Sequence, residues 1–323
     1  MAMHRSLRPG PRLQRALLRV VSSCAVLLSA CELQEVALAE GDDIVVVEVI
    51  LRADEPVQLA FLHRTRGTDS ATVPGAVIEV RDAQGGRLTF GPVSETQCLD
   101  FENERPGQSL GSCYRSNPSG LAIRPGSTFT LRVLLPDGGV ITGETTVPGA
   151  FQLSRPSSNP CRLNAETSLE FTWTRSDGAW AYLAETRLAG LRDALRRRNI
   201  PIGGNGPVRL IGLSVSNEDT TLVFPGEFGL FDRADPDLTD ALVAIQNGLP
   251  PDVFGAIVVA ATDRNYVNWV RGGNFNPSGQ VHVASLRGDG TGVFGSLVPR
   301  TQNLSTSATD TSPACNQAGA LGP

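Results

Sequence analysis

Lysine is absent: all 28 basic residues are arginine, which we read as a compositional bias and not as a binding device. Histidine is nearly as scarce, with three in 323 residues, and only His63 and His282 lie beyond the amino-terminal segment. Histidine is the usual proton carrier near neutral pH, so acid–base catalysis has few groups to draw on. Neither is expected to be catalytic; His282 alternates with Val281 and Val283, which predicts the solvent side of a strand. A serine nucleophile needs an elbow, the strand, G-x-S-x-G and helix arrangement, and no such elbow is expected. The phosphate loop requires a lysine that this chain does not have, and "GGNG" (Gly203 to Gly206) reads as a turn. No later run approaches the roughly 20 apolar residues of a membrane-spanning helix. These absences predict a protein that acts without covalent chemistry, without a cofactor and without a metal.

The amino terminus is more informative. Arg5, Arg8, Arg12, Arg15 and Arg19 precede the apolar run Val20 to Ala30 with no acidic residue among them. This run is too short to cross a bilayer and has the layout of a secretory signal, residues 1–30. It closes on Leu28-Ser29-Ala30-Cys31, which resembles the lipobox of bacterial lipoproteins. That resemblance implies that the Cys31 thiol receives a diacylglycerol and becomes the first mature residue; Val21-Ser22-Ser23-Cys24 is a looser match with almost no apolar run before it. Acyl chains contribute about 0.8 kcal/mol per buried methylene, and two chains anchor stably. The rest of the chain is therefore expected to be exported and tethered to membrane lipid through Cys31, with residues 31–42, including Glu40 and Asp42, as a polar tether.

Without the five signal arginines the chain keeps 23 basic residues against 33 acidic ones, a net charge of −10 with histidine neutral. An acidic chain without a basic stripe is a poor partner for nucleic acid. Cys98, Cys113, Cys161 and Cys315 remain after the signal, and an even number in an oxidising compartment favours disulfides. Of the three connectivities we favour Cys98–Cys113 and Cys161–Cys315, since each pair then falls inside one domain. Zinc would want a C-x-x-C pair or a nearby histidine, and neither is present.

Between Asp43 and Pro148 short β-type runs alternate with turn residues. "IVVVEVIL", "VQLAFL", "AVIEVRD", "RLTF", "TFTLRVLL" and "VITGETTV" are separated by breaks such as Pro74-Gly75 and Pro136-Asp137-Gly138-Gly139, the spacing of an immunoglobulin-like or prealbumin-like β-sandwich. A Pro/Ser/Asn-rich link, 149–160, leads to a second β-rich domain, 161–300. There Trp173 and Tyr182 resemble the core aromatics of fibronectin-like sandwiches. Short helices are predicted at "LAGLRDALRRRN" and "DLTDALVAIQNG", the second capped by Asp237 and stopped by Gly248. Strands are predicted at "VRLIGLSV", "TTLVF", "GAIVVAAT" and "GQVHVASLRG", and residues 301–323 are expected to be an irregular tail. The fold class is thus mainly β, two sandwiches with short helical insertions in the second.

The mature start "CE", the strand "IVVVEVIL", the "VPGAVIEVRDAQGG" hairpin, "LAIRPGSTFTLRVLLPDG", "TTVPGAF" and "GVFGSLVP" together resemble the exported lipoproteins of the domain of unknown function 4249 family. The resemblance covers nearly the whole mature chain through sandwich patterns and not catalytic signatures. It implies a cell-envelope lipoprotein linked with TonB-dependent outer-membrane transport, and it carries over no functional residues.

For ligand binding, "DRNYVNWVRGGNFNPSG" (Asp263 to Gly279) stands out. It gathers Tyr266, Trp269 and Phe275 with Asn265, Asn268 and Asn274 in a turn-rich segment, and aromatic faces beside amides suit a glycan or peptide. Asp232, Asp235, Asp237 and Asp240 lack the EF-hand glycine and glutamate and read as a solvated loop before a capped helix. Arg192 and Arg196 to Arg198 read as a solvated helix face, and Arg287-Gly288-Asp289 reads first as a hairpin turn. The expected function is a lipid-anchored binding or accessory protein at the outer membrane, on its periplasmic or surface face, with a transporter as partner. A free-standing adhesive or structural lipoprotein is the alternative; an envelope hydrolase would need an acid/base pair that the sequence does not display.

Overall fold

The computed structural model describes residues 43–65, 71–98, 109–118, 120–203, 206–230, 238–272 and 285–315. Cys24, Cys31, Glu40, Asp42, Asp232, Asp235, Asp237, Asn274, Phe275 and His282 lie outside the described residues. The first half contributes β1 (Val45–Arg52), β2 (Leu59–Arg64), β3 (Val77–Asp82), β4 (Arg87–Val93), β5 (Ser112–Ser116), β6 (Thr128–Leu134) and β7 (Val140–Thr146). The second contributes β8 (Leu153–Arg155), β9 (Cys161–Arg162), β10 (Leu169–Trp173), β11 (Ala181–Ala189), α1 (Leu191–Arg197), β12 (Val208–Leu213) and β13 (Thr221–Phe224). It continues with β14 (Gly229–Leu230), α2 (Leu238–Ile245), β15 (Phe254–Thr262), α3 (Arg264–Gly272), β16 (Leu286–Gly288) and β17 (Gly290–Ser305).

Strand patterning follows burial. In β6, Phe129, Leu131 and Val133 are buried while Thr128, Thr130 and Arg132 face water, the period of two expected when one face of a sheet is covered. β1 instead opens on three buried valines, because it lies between β2 and β17 in the interior of the sheet. A 14-stranded sheet runs in the order β14, β12, β11, β15, β17, β1, β2, β5, β4, β3, β6, β7, β16, with β9 paired to β17. The sheet turns back so that β3, β6 and β7 cover β1, β2 and β17. Val47, Val49, Leu51, Val80, Leu131 and Val133 fill the space between them.

A second layer pair lies further along the chain. The three-stranded sheet of β13, β10 and β8 covers β11 and its neighbours, with Trp173 and Tyr182 buried and their ring centroids 5.1 Å apart. Both expected core aromatics are in the core, and the fold is mainly β, of sandwich type with short helices. The two regions share one strand. β17 pairs in parallel with β1 over Gly290 to Leu297 and antiparallel with β15 over Leu297 to Ser305. Gly292 makes that possible: its φ is +123°, and a Cβ there would meet the Val47 carbonyl oxygen at 2.1 Å.

Three expectations need correction. Residues 301–305 are strand and not tail, because they continue the ladder with β15 as far as Ser305 opposite Phe254. The link expected at 149–160 contains β8, and Asn159 donates to the Thr301 carbonyl and accepts from the Asn303 N–H, stitching it to β17. The segment after Asp263 begins as the helix α3, for a reason given below. The favoured disulfides are both present, Cys98–Cys113 with Cα atoms 5.7 Å apart and Cys161–Cys315 at 4.7 Å. Such pairs belong with a protein that folds in an oxidising, exported setting. Among the described residues no helix is long and apolar enough to cross a membrane.

Candidate functional site

α3 starts at a buried polar node. Asp263 ends the turn after β15, and its Oδ1 accepts from the Tyr266 N–H at 2.9 Å, the geometry of a helix N-cap. The same oxygen accepts from the Ser296 N–H at 3.1 Å, and Oδ2 accepts from the Thr145 hydroxyl at 2.7 Å. Thr145 and Ser296 also share a 2.8 Å contact, which joins β7 to β17 across the sandwich. Burial pushes the Asp263 carboxyl above its ordinary range, and the hydrogen bonds from Tyr266, Thr145 and Ser296 only partly oppose this.

The residues expected to bind a ligand largely hold this helix in place. The Asn265 amide donates to the carbonyls of Glu144 and Phe294, at 2.8 and 2.9 Å. Tyr266 lies over Gly295, where a Cβ would approach the Tyr266 Cβ to 2.9 Å. Its hydroxyl is pushed up to about 12, first by desolvation and then by the Glu185 carboxylate. Asn268 and Trp269 are partly exposed, and Asn274 and Phe275 of the same expected set lie outside the described residues. A capping Asp263, apolar Val267 and Val270 at helical spacing, and the Gly272-Gly273 stop were the signals for a helix here.

A cleft of about 890 Å³ opens beside Asn265 on the outer face of β3, β6, β7 and β16. The strand register sets its floor. Glu79 lies opposite Arg132, Arg132 opposite Thr142, and Thr142 opposite Arg287. The next row places Arg81 opposite Thr130 and Thr130 opposite Glu144. Glu79 is engaged by Arg81 and by Arg87, the latter at 3.4 Å. Arg132, Glu144 and Arg287 are exposed. None of these cleft residues was singled out from the sequence except Arg287 and Asn265, since the floor comes from four strands spread along the chain from β3 to β16.

Other candidates resolve into structural roles. His63 Nε2 lies 3.3 Å from Glu48 Oε1, and that hydrogen bond raises the imidazole pKa against the opposing effect of burial. Arg192 donates to the carbonyl oxygens of Gly203 and Gly206, Arg196 pairs with Asp193 one turn earlier in α1, and Arg198, just past α1, contacts Glu166. The hairpin turn expected at Arg287-Gly288-Asp289 is instead strand β16 through Gly288, paired with β7, followed by a bend where Asp289 Oδ2 accepts from the Val140 N–H at 2.8 Å. Asp240 lies in the first turn of α2, and among the described residues no three acidic, His or Cys side chains cluster to hold a metal.

Two glycine patterns carry the spacing of functional motifs. Gly107 to Gly111 reads G-x-S-x-G, but Ser109 donates to Glu95 at 2.8 Å and its strand continues as β5, with no helix after it. Gly290 to Gly295 reads G-x-G-x-x-G, yet it lies within β17, where the glycines admit the Val47 backbone and Tyr266. Neither has the strand–turn–helix context that the chemistry needs.

No protein-family profile matches the chain, and no curated protein matches it. Among solved structures, a DUF4785 family protein from Legionella pneumophila is similar at 11% identity and a TM-score of 0.20, covering 66% of this chain and 51% of that one. The chain therefore spans about half the length of that protein. Fibronectin(III)-like modules of CbhA from Clostridium thermocellum are similar at 8% identity and a TM-score of 0.18, covering 78% of this chain and 92% of that one. TM-scores this low leave both likenesses without weight for topology or function.

Proposed function

We propose that this protein is a lipid-anchored binding or accessory protein of the bacterial cell envelope, held at the outer membrane through acylated Cys31. The observation that carries the reading is the order of features at the amino terminus: arginines, a short apolar run, Leu28-Ser29-Ala30-Cys31, and an acidic tether. The disulfide-braced β unit that follows agrees with export. The resemblance of its sandwich patterns to the domain of unknown function 4249 family supports a role beside an outer-membrane transporter in nutrient uptake. Binding without covalent chemistry fits the outer cleft, whose described side chains are mostly charged or hydroxylated.

Cys31→Ala is expected to release the protein from membranes into the soluble fraction. If that variant still floats with lipid vesicles, the anchor is wrong. Gentle detergent extraction of the tagged protein from its own membranes, followed by mass spectrometry, tests the accessory role. A stoichiometric outer-membrane transporter supports it; recovery of the lipidated protein alone favours the free-standing adhesive or structural reading.

A further inference from the structure

We infer that the outer cleft of β3, β6, β7 and β16 binds a hydroxylated polyanion, an acidic oligosaccharide whose carboxylates engage Arg132 and Arg287. This rests on the reading of the protein as a binding protein and names the ligand class of its cleft. Arg132 and Arg287 both lie opposite Thr142, one on each neighbouring strand. At the usual strand spacing their Cα atoms are roughly 10 Å apart, with the Thr142 hydroxyl between them. Among the described residues neither guanidinium has an ion-pair partner, whereas Glu79 is engaged by Arg81 and Arg87. Two planar five-donor forks held on the two strands that flank β7 suit carboxylates repeated along a chain.

The same floor distinguishes a sugar acid from a bare anion. Glu144 is two residues from Thr142 on the same outward face of β7 and is exposed. A carboxylate only accepts hydrogen bonds, so a ligand with charge alone would be repelled there, while one that also carries hydroxyl donors satisfies it. Thr130 and Thr142 add hydroxyls that both donate and accept. Among the described residues no aromatic ring lines the cleft, so recognition there depends on charge and hydroxyls. On a chain whose net charge after the signal is −10, a patch with three arginines against two carboxylates also marks where an anion can approach.

The test is calorimetric titration of the full-length protein in neutral detergent with trigalacturonate in the presence of a chelator. Sodium tripolyphosphate and maltotriose serve as the charge-only and hydroxyl-only comparisons. The expected result is binding of trigalacturonate that weakens with added salt, with tripolyphosphate weaker and maltotriose silent. Arg132→Ala and Arg287→Ala should each weaken it about tenfold, or ~1.4 kcal/mol. Both side chains are exposed, and unchanged far-UV circular dichroism confirms the fold; Arg132→Gln and Arg287→Gln repeat the test if either alanine variant loses structure. Absence of trigalacturonate binding, or binding unaffected by both substitutions, overturns the inference. So does tripolyphosphate binding at least as tightly, which would make the cleft a bare anion site. Membrane anchoring through Cys31 is scored separately by fractionation, so failure here leaves the envelope reading standing and failure of anchoring leaves this one.

Discussion

Replacing Asp263 should separate the charge of the polar node from its hydrogen bonds. Asp263→Ala removes the acceptor for the Tyr266 and Ser296 N–H groups and for the Thr145 hydroxyl. Loss of a helix N-cap costs about 1 kcal/mol, and each buried donor left unpaired costs about 1–3 kcal/mol. The cap accounts for the Tyr266 N–H and Thr145 keeps its contact with Ser296, which leaves the Ser296 N–H unpaired, so the total is about 2–4 kcal/mol. With a urea slope of about 3 kcal/mol/M, the unfolding midpoint should fall by about 0.7–1.3 M. Asp263→Asn keeps one carbonyl oxygen for both backbone donors, and its amide can donate to Thr145. That variant should stay within about 1 kcal/mol of the parent near neutral pH, because it no longer buries a charge.

The pH dependence has a definite sign. The folded carboxyl titrates above the ordinary value of 3.8, so between 3.8 and the raised value the folded chain binds the proton more tightly than the unfolded one. Stability from this group therefore falls as pH rises through that window and then levels off. In the difference between parent and Asp263→Asn the other carboxylates cancel, so the asparagine variant should gain relative stability as pH rises from 3.8. Urea unfolding followed by tryptophan fluorescence at several pH values reads this directly. An alanine variant within about 0.3 M of the parent midpoint, or a parent–asparagine difference that does not change with pH, would refute the reasoning.

The His63 imidazole should titrate above its ordinary 6.5 because Glu48 holds it. Stability from that pair is present below 6.5 and is lost as pH rises through the folded value. NMR titration should show the His63 pKa lower in Glu48→Gln than in the parent, and an unchanged value would sink this account. The disulfides close loops of 15 and 154 residues. Loop-closure entropy assigns them roughly 3 and roughly 5 kcal/mol, so Cys161→Ser with Cys315→Ser should lower the thermal midpoint more than Cys98→Ser with Cys113→Ser. The opposite order in calorimetry would show that chain entropy does not set their contributions.

Much of the fold was legible in local pattern. Period-two burial in β6, the cysteine pairing and the core positions of Trp173 and Tyr182 follow from residues that signal strand, staple or core by themselves. Even α3 was signalled, by Asp263, Val267, Val270 and two glycines, but the weight of asparagines in the segment spoke for turns. The residues of the outer cleft were not legible as a set. An alternating strand declares which side chains share a face, but not which distant strand will lie beside it.

By itself the sequence indicated a mainly β protein and favoured its two disulfides, because hydrophobic period is expressed over short range and each cysteine pair falls inside one expected domain. Only the tertiary structure decided that β17 serves both sandwiches, that Asp263 ties β7 to β17, and that Arg132 and Arg287 flank Thr142. These depend on register between strands far apart in the chain. Register is settled by closing the sheet over a common core, where a shift of one residue would turn every buried side chain outward.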